Sequence, residues 1–72
     1  MKATLYSKVV TLVKVTSDFK GIEFPAGSFG VVVESFVEPR EGYYVDLALA
    51  NDDGSLAEIQ NVTLFPEQFE VV

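Results

Sequence analysis

The 72-residue chain contains no cysteine, no histidine and no tryptophan, and only five lysine and arginine residues against eleven aspartates and glutamates. Without cysteine there is no disulfide framework and no thiolate metal site. Without histidine the commonest transition-metal ligand is missing, together with the usual general acid and base. A nucleophile and its base would have to come from Ser, Thr, Lys, Tyr or a carboxylate pair, and a small filled fold offers little cleft in which to set them. The inventory therefore predicts a noncatalytic protein with no cofactor and no metal. The acidic balance gives a net charge of −6. Phosphate backbones and anionic membranes repel such a surface, so neither nucleic acid nor membrane is an expected partner. No segment reaches the ~20 apolar residues of a membrane span. Met1 to Val15 is broken by Lys2, Ser7, Lys8, Thr11 and Lys14, so it lacks the apolar block of a signal peptide, and a cytoplasmic protein is expected.

What is present is apolar: 49% of the residues are hydrophobic and the mean hydropathy is +0.28. A chain this short builds one small core, so residues 1–72 are expected to form a single domain, with 1–7 as a loose or pairing N-terminal segment. So much apolar sequence on so small a body leaves some of it outside the core, and contiguous exposed apolar surface usually marks an interface. Self-association is the expectation.

Runs of Val, Thr, Ile and aromatics separated by turn residues predict an all-β fold. A first strand is expected over Lys8 to Val15. A long connection from Thr16 to Gly27 follows, in which Phe19, Ile22 and Phe24 are expected to fold back over one end of the structure. The second strand, Ser28 to Val37, holds Val31, Val32 and Val33 in succession, as in a strand covered on both faces or one whose outer face meets a partner. Gly30 within it suggests a close backbone approach. Glu38 to Gly42 turns the chain, with Arg40 expected as a solvated ion pair between Glu38 and Glu41. In the third strand Tyr43, Val45, Leu47 and Leu49 alternate with Tyr44, Asp46 and Ala48. Asn51-Asp52-Asp53-Gly54 is a hairpin signal; it lacks the spaced ligands of a calcium loop. The fourth strand, Ser55 to Leu64, changes apolar phase, which predicts a bulge near Gln60-Asn61. Phe65 to Phe69 reads as a 3₁₀ turn and Glu70 to Val72 as a closing strand.

The stretch from Ile22 to Glu34 has the form apolar-x-x-Pro-x-Gly-x-x-Gly-x-Val-Val-Glu. It resembles the diverging loop and second strand of small bacterial SH3-like domains of unknown function, and more distantly the nitrile hydratase β-subunit barrel and KOW-type modules. Leu64, Pro66 and Phe69 loosely match a Leu-x-Pro-x-x-x-Phe/Leu element near the end of those domains. The resemblance implies a small five-stranded SH3-like barrel with a short 3₁₀ turn before the last strand. It does not carry polyproline recognition, which uses a Trp this chain lacks. Nor does it carry the RNA binding of KOW modules, whose loops are basic where this chain has Asp18, Glu23, Asp52 and Asp53.

Five aromatics are the candidate protein-binding residues: Phe19, Phe24, Phe36, Tyr43 and Tyr44. Interfaces favour such side chains, and a barrel this small has no room to bury all of them. The function expected is a noncatalytic protein-interaction module, self-associating or a subunit of a larger assembly. The alternative is an acidic inhibitor or immunity-type protein that blocks a basic partner.

Overall fold

The computed structural model describes all 72 residues. Five antiparallel strands form one sheet in the order β6-β5-β4-β1-β7, where β1 is Lys8–Thr11, β4 Phe29–Phe36, β5 Gly42–Ala50, β6 Leu56–Leu64 and β7 Phe69–Val71. A separate two-stranded hairpin, β2 (Val15–Thr16) with β3 (Glu23–Phe24), occupies the long connection after β1. A 3₁₀ turn, Pro66–Gln68, precedes β7. The ladder does not close into a ring, and β6 and β7 are its two ends.

The sheet curls around eleven buried apolar residues, among them Val9, Val32, Val45, Leu47, Leu64 and Phe69. The alternation of Tyr43, Val45 and Leu47 points all three inward, and each is fully buried. The Tyr43 and Phe69 rings meet edge-on, with centroids 5.3 Å apart at 84°, the geometry aromatic quadrupoles prefer. Gly30 lies where a Cβ would come within 2.7 Å of Val45 Cγ1 and 2.8 Å of the Asp46 carbonyl, so β4 and β5 approach closely only because that position is bare.

The first strand ends earlier than its composition suggests. Thr11 donates its N–H to Ser28 O at 2.9 Å, its carbonyl accepts from Gly27 N at 2.7 Å, and its hydroxyl accepts from Ser28 N at 3.1 Å. These bonds fasten the base of the long connection to β1, and Leu12 and Val13 turn to the surface beyond it. In the connection, Phe24 is fully buried and Ile22 packs against the core, but Phe19 does not fold back: it is 81% exposed.

The bulge expected near Gln60-Asn61 is absent. Pairing of β5 with β6 runs in continuous register from Tyr43↔Leu64 to Leu49↔Glu58 and slips only at the far end, where Ala50 pairs with Leu56 and Ala57 is the extra residue. The change of apolar phase has another cause: Ile59 stands on the outer face, opposite Ala48. A second slip lies in β4 between Val32 and Glu34.

Residues 1–7 are tied down. Ala3 is buried and its N–H donates to the Tyr43 hydroxyl at 3.2 Å. The Lys2 ammonium donates to the carbonyls of Pro66 (2.6 Å) and Phe69 and sits over the Phe69 ring. Tyr6 N–H and Ser7 C=O continue the β1–β4 ladder through Val32. Arg40 does not pair with Glu38 or Glu41; it donates to Glu67 Oε1 at 2.7 Å and lies over Phe65, 4.2 Å from the ring centroid. That contact joins the β4–β5 turn to the 3₁₀ turn. No helix is long and apolar enough to cross a membrane.

Candidate functional site

In a curled sheet, residues of the parity opposite to the core face outward. With Gly30, Val32, Val45 and Leu47 inside, Phe29, Val31, Asp46 and Ala48 must be outside. Cross-strand register lines these up in rows across the sheet. One row runs Lys8↔Val31↔Asp46↔Asn61. The next has Glu70↔Val10↔Phe29, and on the other side of β4, Ala48↔Ile59. Together they surround a shallow groove of about 540 Å³ floored by Gly30 and walled by Phe29, Val31, Val33, Ala48, Ile59 and Val72. Phe29 is 62% exposed and Ile59 53%. Two charged side chains line it, Lys8 on the β1 side and Asp46 on the β5 side, and Asp46 Oδ1 accepts from Asn61 Nδ2 at 3.0 Å.

The five aromatics singled out from the sequence are dispersed. Phe24 and Tyr43 are fully buried, so neither can touch a partner; they are correctly residues of the core, because each sits at an inward position of its strand. Phe36 and Tyr44 do come together outside, with ring centroids 5.2 Å apart. Phe36 pairs with Gly42 in the register and its ring lies over that glycine. Tyr44 is 40% exposed.

Phe19 belongs to a different place. It lines a smaller groove of about 280 Å³ between β2 and the free edge of β6, with Lys14, Val15, Thr16, Asn61 and Thr63. The edge is free in its backbone. Thr11 N to Ser28 O and Val32 N to Ser7 O turn the even residues of β4 toward β1. Antiparallel alternation then turns Val31 toward Asp46, Val45 and Leu47 toward β6, and Asn61 and Thr63 away from β5. No strand pairs with that side of β6.

The Asn51 to Gly54 segment forms a hairpin turn: Asn51 N–H donates to Ser55 O at 2.7 Å and Gly54 N–H to Asn51 O at 2.9 Å. The Asp53 carboxylate accepts from Ser55 Oγ and N–H, bonds that hold it below the usual carboxylate range. No group of three or more acidic residues converges as metal ligands do.

Compared with family models, curated proteins and solved structures, the chain matches none, so its functional reading rests on its own geometry.

Sequence reasoning missed Phe29, Ala48, Ile59 and Val72 as surface candidates. The signal was available in parity: Val45 and Leu47 pair with Val32 and Gly30 on the inner face, so the alternate residues Phe29 and Val31 of β4 and Ala48 of β5, with Ile59 paired to Ala48, take the outer face. Choosing candidates by aromatic type passed over aliphatic groups that carry most of the groove.

Proposed function

We propose that the chain is a noncatalytic protein-interaction domain of SH3-like barrel type that associates with copies of itself through the outer face of its sheet. The strand order, the hairpin in the long connection and the 3₁₀ turn before the last strand are the features an SH3-like barrel would have. The observation that carries the reading is the apolar groove centred on Phe29, Val31 and Ile59, open to water on a molecule whose total accessible surface is only 4504 Å². Contiguous apolar surface rimmed by polar residues is the usual mark of an interaction site, and here Lys8 and Asp46 supply the rim. Apolar chemistry at the groove favours self-association over an inhibitor that works by acidic contacts, since only one carboxylate, Asp46, lines it.

Sedimentation over a concentration series is the test. The wild type is expected to shift toward a larger species as concentration rises, and Phe29→Asp or Ile59→Asp to sediment as the monomer throughout. Both side chains stand in solvent in the single chain, so at concentrations low enough for the wild type to be monomeric, far-UV circular dichroism and the urea midpoint should change little. A wild type that stays monomeric at every concentration would overturn the reading.

A further inference from the structure

Lys8 and Asp46 each pair with Val31, one from either side of β4. At strand spacings of ~4.8 Å they flank Val31 at nearly equal distances, one positive and one negative. From this we infer that the occupant of the outer groove is a second copy of the chain, stacked face to face about a two-fold axis that runs parallel to β4 over Val31, with Lys8 of each copy opposite Asp46 of the other.

The inference rests on the self-association reading and adds a geometry to it. A two-fold axis between stacked sheets lies in the plane of the interface, so there are two simple orientations along the rows. An axis across the strands places Lys8 against Lys8 and Asp46 against Asp46, and like charges in contact cost several kcal/mol. An axis along β4 exchanges the flanks, and both charges meet opposites. The charge pattern therefore selects the second. The apolar positions follow: Val31 meets Val31, Phe29 meets Phe29, and Val10, opposite Phe29 on β1, meets Ala48 from the far side of β4. This is an isologous contact, closed at two copies. It is also the aligned mode of sheet packing, with a ~10 Å separation that apolar side chains of this size fill.

A charge swap tests the arrangement. Lys8→Asp puts two acids in contact, Asp46→Lys puts two bases in contact, and the double variant restores both pairs with their signs reversed. In sedimentation equilibrium each single variant is expected to weaken dimerisation about tenfold or more, and the double variant to return to near the wild-type dissociation constant. The single variants move the net charge in opposite directions, so a generic charge effect would weaken one and strengthen the other. Urea midpoints of all variants check the fold, because Asp46→Lys also loses the bond from Asn61. A wild type that dimerises while the single variants dimerise equally well, or a double variant no better than the singles, overturns this geometry and leaves self-association standing. A monomeric wild type sinks both.

Discussion

Ser17 carries a hydroxyl that is buried and has no hydrogen-bond partner. Burying a hydroxyl in that state costs about 1–3 kcal/mol by the usual mutational scale. Ser17→Ala removes the polar atom and leaves the backbone bond from Ser17 N to Ile22 O in place, so a gain of ~1 kcal/mol is expected from the urea midpoint. The Glu41–Tyr43 pair works the other way, as a polar contact that helps. The Tyr43 hydroxyl donates to the Glu41 carboxylate, and that bond, followed by the Lys2 N–H, holds Glu41 below its usual range. Burial, and then Glu41, push the Tyr43 phenol above 10.0. A lowered carboxylate adds stability above its unfolded pKa, and loses it as the pH falls through the folded value. A raised phenol adds stability below pH 10.0 and loses it as the pH climbs through its folded value. Tyr43→Phe keeps the edge-on packing with Phe69 and deletes both effects. The stability gap between wild type and variant, followed by urea titration across pH, should therefore be widest near neutrality and narrow at both extremes. A gap that is flat with pH would mean that the hydroxyl acts by packing alone.

At the scale of elements, the most informative strand is β6. Its Val62 is bonded to Val45 on one side, and its Asn61 and Thr63 present their backbone groups to the groove beside β2. Native-state hydrogen exchange should read this alternation directly: the Val62 amide protected, those of Asn61 and Thr63 exchanging much faster. Equal protection of all three would mean that a further strand covers the edge. This element also marks where the sequence stopped being legible. The strands β4 and β5, the Asp-Gly hairpin and the 3₁₀ turn could be read because turn residues and strict alternation report local geometry. Ile59 could not be read, since an apolar side chain on an outer face breaks the rule that apolar means inward. Parity therefore suggested a bulge where the ladder is regular. Lys8 to Val15 failed for a related reason: β-branched residues specify extended backbone, but the bonds from Gly27 and Ser28 that end β1 at Thr11 come from far along the chain.

For the whole molecule, two tendencies oppose each other. In the self-association proposed above, a net charge of −6 works against contact between copies, and the apolar outer face works for it. The composition disclosed that conflict, and the register across β1, β4 and β5 located it. The two ends of the sheet are also unlike. At β6 the backbone is bare, whereas at β7 the Lys2 ammonium occupies the Phe69 carbonyl and neighbours the Glu70 carboxylate at 3.8 Å. Side-by-side growth of sheets into a filament requires a bare margin at each extremity, the trailing one of each copy docking on the leading one of the next. Here the Lys2 ammonium takes up the Phe69 carbonyl on the β7 margin, and a charge seated there works against a second strand docking on it, a brake on the fibrous assembly that so valine-rich a composition invites.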